Sequence, residues 1–351
     1  MEEEGAPSAL LALDPDFGEI LPAATARGVL RDRFGQDPGF DLGAEAFSAM
    51  LTLTLLPASW GRPASALVRQ VEAARWESRY RFFTGAHSFP ADTDCTGLAL
   101  SALHEHGRLS SAGLDTSVHD LLRSAAEDLL PGRDSRDDDA LRPGVPMVYW
   151  EDGREPRTLG RGRKHDAVAC ANALHAIHLA GPQTLTGAQT VISASMRYLA
   201  DHLTSRRYLH GTRYYPSPDA FLYAASRLCA RFPSSTHALT SLVRRAWQER
   251  EEYADTQDPG PGRGTPLDLA LRTLTADNLT LTTGQDQRRR LLAQAQQPDG
   301  SWPACPYYRM GRFPMFFGSP YLTTLFCLRA LTMRESTPSG NPRQAEWNED
   351  G

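Results

Sequence analysis

Apolar residues recur along this chain at helical spacing, broken by stretches rich in Gly, Pro, Ser and Asp. Residues three and four apart share one face of a helix, so the pattern predicts helices over 44–56, 63–82, 94–106, 116–130, 165–179, 186–204, 218–230, 235–252, 265–276, 285–297 and 321–333, with another near 23–34. Alternate segments differ in character. Those beginning at Asp94, Val168, Pro218, Pro266 and Tyr321 are rich in Ala and other small residues, whereas 64–80 and 236–252 are more polar. Small residues permit close helix packing and polar faces belong outside, so an inner and an outer layer follow. The small-residue segments start roughly every 50 residues, the mark of a repeated helical hairpin. Six such pairs closing on themselves make an all-α (α/α)6 toroid, or barrel; an open solenoid is the competing arrangement.

One connection is unusually long, 131–164. Its residues 145–153 end in Asp152-Gly153, a hairpin turn signal, and predict a short β ribbon over one mouth of the barrel. The run Asp137-Asp138-Asp139 fits a hydrated loop or a magnesium site. The domain plan is an N-terminal arm or cap over 1–42, a toroid over 43–335 and a disordered polar tail over 336–351.

Composition strengthens the helical reading: three Ile and nine Val are few for a chain of 351 residues, and β-branched residues are what sheets use most. With 37 Lys and Arg against 42 Asp and Glu, the net charge of -5 gives no general attraction to nucleic acid, despite basic runs at 161–164 and 288–290. No apolar run approaches the roughly 20 residues of a membrane span. The acidic start lacks the features of a secretory signal, and the five Cys are spread out with no CxxC pair, so a reducing, cytoplasmic location is expected. Phosphate-binding loops, dinucleotide fingerprints and serine elbows are missing from the sequence.

The segment 291–302 places Gln294, Gln296 and Gln297 at a helix end, then Asp299-Gly300, then Trp302. Such a segment ties an outer helix to the next inner one by hydrogen bonds and stacking. Followed by Gly318-Ser319-Pro320-Tyr321-Leu322-Thr323-Thr324, it resembles the glutamine–tryptophan repeat of squalene, hopene and related terpene cyclases. Protein prenyltransferase β subunits share the toroid and looser versions of the repeat. The resemblance implies the toroid, with Trp302 as a structural tie or as a substrate contact.

A second resemblance lies in Phe89-Pro90-Ala91-Asp92-Thr93-Asp94-Cys95-Thr96. Cyclases that begin by protonation carry Asp, any residue, Asp, Asp, usually followed by Thr. The match implies Asp94 as the general acid and Asp92 as its partner, while Cys95 stands where the family has its last Asp. The chemistry has its own logic. Protonating an alkene needs a neutral carboxylic acid, and two adjacent carboxyls in a dry cavity resist ionising together. Against this, a helix start favours the carboxylate, and Asp92 also reads as a simple cap.

Carbocation chemistry further needs an enclosed pocket with aromatic faces. Phe82, Phe83, Trp150, Tyr214, Tyr215, Tyr308, Phe316 and Phe317 are the candidates, with ordinary core packing as their alternative. His165, Asn172 and His175 share a helix face and fit either polar substrate contacts or a hydrogen-bonded core.

The resemblance thus implies a class II terpene cyclase-like enzyme, an isomerase or lyase, acting on an isoprenoid or isoprenoid-bearing substrate. A diphosphate on that substrate would imply Mg²⁺ and a mouth near Arg161, Arg163 and Lys164. The family generally sets its acid between two barrels and this length holds one, which implies a second subunit, a homo-oligomer, a small substrate or another use. Three other readings stand beside it. One is a non-catalytic toroid that binds a lipid or a protein. Another is a zinc prenyltransferase-like enzyme using Asp94, Cys95 and His165, although 321–324 lacks the family's His. The last is a sugar enzyme pairing Asp92 or Asp94 with Asp219 or Asp268.

Overall fold

Six helices form the inner layer, all but the last mostly buried: α1 (Phe47–Leu55), α3 (Thr93–Glu105), α5 (Ala167–Leu179), α8 (Pro218–Arg231), α10 (Pro266–Asn278) and α12 (Pro320–Thr332). Each packs on the next in that order, and α12 packs back on α1. The ring is therefore closed, which excludes the open solenoid. This computed structural model describes residues 11–14, 19–22, 44–57, 61–84, 89–127, 141–155, 158, 160–254, 264–311 and 316–332. The helix expected near 23–34, the acidic run 137–139 and the tail 336–351 lie outside the described residues.

The outer layer holds α2 (Gly61–Ala73), α4 (Ser111–Leu122), α6 (Pro182–Gly187) with α7 (Gln189–Thr204), α9 (His237–Ala254) and α11 (Gln285–Gln294). The inner helices after α1 begin on polar caps: Asp92 accepts from Cys95 N, Asp166 from Val168 N, Ser217 from Asp219 N, Thr265 from Asp268 N and Ser319 from Leu322 N. These satisfy backbone donors that the first turn leaves free. Capped starts of neighbouring inner helices meet, as where Ser217 bonds Asp268 and Tyr214 N bonds Asp166, so they gather at one end of the ring.

Trp302 performs the structural part of its expected task. Its Nε1 donates to the Leu292 carbonyl of α11 at 2.9 Å, and its backbone N–H donates to Thr324 Oγ1 of α12 at 3.0 Å.

Three expectations shift. The helix expected over 63–82 ends at Ala73, and the chain turns through Glu77, at φ 53, between β3 (Arg75–Trp76) and β4 (Arg79–Tyr80). The helix expected over 116–130 instead spans Ser111–Leu122, because Ser110 supplies an earlier cap through Gly113 N. Residues 145–153 make single bridges rather than a ribbon, since their backbone groups serve different partners: Met147 N bonds Ser124 O, Val148 N bonds Lys164 O, and Val148 O accepts from Thr93 N. A ribbon forms elsewhere. β1 (Leu11–Asp14), β2 (Glu19–Pro22), β5 (Tyr308–Arg309) and β6 (Phe316–Gly318) make an antiparallel sheet in the order β2-β1-β6-β5, just before α12.

Candidate active site

Asp92 and Asp94 stand at the capped start of α3 and open into a partly enclosed cavity. Eight of the seventeen lining residues are aromatic. Phe82 stacks on Phe47 at 5.1 Å and lies 4.9 Å from Tyr308; Phe83 meets Phe82 at 4.8 Å and Phe89 at 5.2 Å. Tyr149 and Tyr214, whose hydroxyls bond to each other, continue the wall on the side of Arg161. The insertion thus helps to cover the mouth, although with Tyr149 rather than a ribbon.

Asp94 is held from two other elements. Asn172 Nδ2 on α5 donates to Oδ1 at 2.7 Å, and the Tyr215 hydroxyl, from the turn before α8, donates to Oδ2. Asp92 Oδ1 accepts from Cys95 N at 2.7 Å, so capping and a place in the cavity wall coexist. Burial decides the electrostatics. It pushes Asp92 up to about 7, with the charge of Asp94 adding to the rise and the Cys95 N–H bond opposing it. It pushes Asp94 up to about 6, against the opposing bonds from Tyr215 and Asn172 and the charge of Arg227. The helix start has not overridden desolvation, and the pair retains protons toward neutral pH.

Cys95 lies in the wall with its thiol kept neutral by burial. The donors that orient Asp94 are Asn172 and Tyr215, so the Asp missing from the motif is not needed for that purpose.

Other candidates sit elsewhere. His165 is fully buried, with Nδ1 on the Pro146 carbonyl at 3.0 Å and Nε2 accepting from Arg142 N at 2.9 Å. Both ring nitrogens are engaged, and His165 does not converge with Asp94 and Cys95 as a zinc site requires. His175 faces Glu105 Oε1 at 3.5 Å and the Phe232 ring, outside the cavity. Trp150 lies under the Arg79 guanidinium at 4.3 Å and donates to the Asp120 carbonyl, so it fastens the insertion instead of lining the pocket. Trp302 is wholly buried in its structural tie. Phe316 is opposite Arg309 in the sheet, and Phe317 stacks on Tyr308 from behind, while Tyr308 itself faces the cavity. Arg161 lines the cavity, Arg163 lies 3.6 Å from Glu151, and Lys164 sits over the Tyr149 ring. Asp219 is bound by Arg250 and Arg272, and Asp268 belongs to a capping box, which places both outside the cavity wall.

Phe47, Phe89, Tyr149 and Met310 are lining residues that the sequence reading did not single out. Asp166 also went unmarked. It caps α5 and, through Tyr214 N at 3.1 Å, secures the turn that carries Tyr215. An Asp before an apolar helix signals the cap, but nothing local signals the second bond.

No protein-family model matches the chain. It is 26% identical over 282 residues to the drimenol cyclase drtB of Aspergillus calidoustus, a match covering 78% of this chain and 43% of that protein, so the chain spans less than half of that relative's length. In three dimensions it resembles ent-copalyl diphosphate synthase from Streptomyces platensis, with a TM-score of 0.55 and 18% identity over 86% of this chain and 53% of that one. It also resembles the type II terpene cyclase MstE from Scytonema, seen with geranylgeranyl dihydroxybenzoate, with a TM-score of 0.53 and 11% identity over 82% of this chain and 86% of that one. With a closed inner ring and these likenesses along most of its length, the chain has an all-α toroidal fold like that of ent-copalyl diphosphate synthase and MstE.

Proposed function

We propose that this protein is a class II terpene cyclase that cyclises an isoprenoid or isoprenoid-bearing substrate by protonation from Asp94. The observation that carries this reading is the placement of a protonatable Asp94, held by Tyr215 and Asn172, in an aromatic-lined cavity. The likeness to MstE supports a single barrel as sufficient, since that type II cyclase is matched over 86% of its length by this toroid.

The steps balance as an isomerisation. The O–H bond of Asp94 breaks, and its proton forms a C–H bond at one carbon of a substrate alkene. The other alkene carbon becomes cationic and is attacked by the next C=C pair, forming a ring C–C bond. Transfer of a proton from a carbon beside the last cation to water at the cavity mouth returns a neutral product. As Asp94 becomes a carboxylate, the Tyr215 and Asn172 bonds strengthen, which favours the transition state over the resting acid. The faces of Phe82, Phe83, Phe89 and Tyr308 stabilise the moving charge without offering a nucleophile. The apolar wall keeps out water that would quench the cation. Asp92 keeps a neighbouring proton available for the spent acid. Arg161 supplies positive charge where an anionic head group would enter. Among the described residues no three His, Cys, Asp or Glu side chains are grouped to hold a metal ion.

The test is incubation with C10 to C20 prenyl diphosphates, a geranylgeranylated aromatic acid and squalene, with and without magnesium, followed by product mass analysis. Wild type is expected to yield a cyclic isomer of one substrate. Asp94→Asn is expected to lower turnover on the order of 10²- to 10⁴-fold with the fold retained by circular dichroism. Unchanged turnover in that variant removes Asp94 as the acid. Tight binding of a prenyl chain with no product from any substrate supports the non-catalytic module instead.

A further inference from the structure

We infer that Arg227, outside the cavity wall, is a positioning residue that fixes which oxygen of Asp94 carries the transferable proton, acting through the side-chain amide of Asn172. The inference rests on the reading of Asp94 as the proton donor.

Arg227 on α8 places Nη1 3.4 Å from Asn172 Oδ1, and Asn172 Nδ2 lies 2.7 Å from Asp94 Oδ1. A guanidinium donates hydrogen bonds and accepts none. The amide oxygen must therefore face Arg227, which turns the NH₂ group toward Asp94. Asp94 Oδ1 then always accepts, and the acid's proton is confined to Oδ2, beside the Tyr215 hydroxyl. That hydroxyl can accept from a protonated Oδ2 or donate to an ionised one. When an alkene takes the proton from Oδ2, the O–H electron pair stays on that oxygen and Tyr215 turns to donate to it.

Without Arg227 the amide can flip. Asn172 Oδ1 would then meet Asp94 and trap the proton on the oxygen away from Tyr215. The surrounding charges make the second effect directional. On its own helix Asp94 faces Asp92 and Cys95, and at the α5 cap it faces Asp166, whose charge disfavours ionisation of Asp94. Tyr215 and Tyr307 are neutral neighbours. Arg227 opposes these acids by favouring the Asp94 carboxylate. It also acts on Glu105, which lies 3.5 Å from His175 and 3.6 Å from Arg231, so part of its charge is shared with that group.

The experiment measures kcat and KM against pH for wild type, Asn172→Leu, Arg227→Met, Arg227→Lys and the double variant carrying Asn172→Leu with Arg227→Met. Arg227→Met is expected to lower kcat on the order of 10- to 100-fold with little change in KM, because Arg227 does not line the cavity. Its alkaline limb is expected to move to higher pH, since removing the cation raises the pKa of Asp94. Arg227→Lys keeps the charge and is expected to keep the limb near its wild-type position. The double variant is expected to be no slower than Asn172→Leu alone, as two residues acting in series require. Multiplying losses in the double variant, or a wild-type rate and limb in Arg227→Met, overturn the inference. Should Arg227→Met fail to fold, the same cycle is run with Arg227→Gln, which removes the charge and can accept as well as donate, and its loss must vanish in the Asn172→Leu background. Asp94→Asn separates the two layers: if it retains turnover the acid reading fails, and if it is inactive while Arg227→Met behaves as wild type, the positioning role alone fails.

Discussion

Gly97 on α3 faces the backbone of Asn172 on α5 so closely that a Cβ added to the glycine would lie 2.7 Å from the Asn172 carbonyl carbon and oxygen. Only a residue without a side chain allows the two inner helices this approach. The same approach brings the Asn172 amide within 2.7 Å of Asp94. Packing and the acid's environment are thus set at one contact.

Gly97→Ala must push α3 and α5 apart, because the clash is with backbone rather than with a flexible side chain. Overpacking of this kind costs about 1–3 kcal/mol. Denaturant unfolding is expected to show that loss, and turnover below the melting temperature is expected to fall with it as the Asn172 bond to Asp94 lengthens. A stable variant with wild-type turnover would separate the helix contact from the acid.

Burial raises Asp92 from its ordinary 3.8 to about 7, so its protonated form is favoured by the fold. A raised acid contributes stability that is full below the unfolded pKa and lost as pH rises through the folded one, here between about 4 and 7. Asp94 and Glu45, raised to about 6 and about 7, act in the same direction. His175 and His202, lowered by burial to about 4 and about 3, act oppositely, losing stability as pH falls below their unfolded value. The histidines are common to both proteins when wild type is compared with Asp92→Asn. The melting temperature of the variant relative to wild type is therefore expected to rise from pH 5 to pH 8, with Asn replacing a protonated acid and still able to cap α3. A difference that does not change with pH would show Asp92 to be ionised throughout.

Trp302→Phe removes the indole donor from the Leu292 carbonyl, a buried bond between outer and inner layers. Leaving that acceptor unpaired costs about 1–3 kcal/mol. Because Trp302 does not line the cavity, kcat measured well below the melting temperature is expected to stay at the wild-type level. A fall in kcat with unchanged stability would assign Trp302 to the substrate instead.

The helical repeat was legible because the inner helices advertise themselves: nine of the thirteen residues of α5 are Ala, Val, Leu or Cys, and α3 carries the small residues that its neighbour needs. The overrun at 63–82 has a local cause. Tyr80, Phe82 and Phe83 continue an apolar pattern, yet they belong to a strand and its exit, held in place by Arg79. That arginine is buried between Trp76 and Trp150 and bonds Asp120 and Asp152, a partner set that runs from residue 76 to residue 152. No window of neighbouring residues contains it.

Asp92 and Asp94 were legible as a motif, and Phe82 and Phe83 as candidates for a pocket wall. The sequence by itself determined the alternation of small and polar helices, the length for one toroid and the pairing of two carboxyls two residues apart. Tertiary structure decided what those carboxyls meet. Asn172 and Tyr215 are 78 and 121 residues from Asp94, and they reach it only because the inner ring closes with its capped helix starts at one mouth. The same closure left His165, His175 and Trp150 in packing roles. Periodicity reports which face of a helix is buried, because burial is set by the helix's own turn; which buried side chains converge depends on the helices that the ring places beside it.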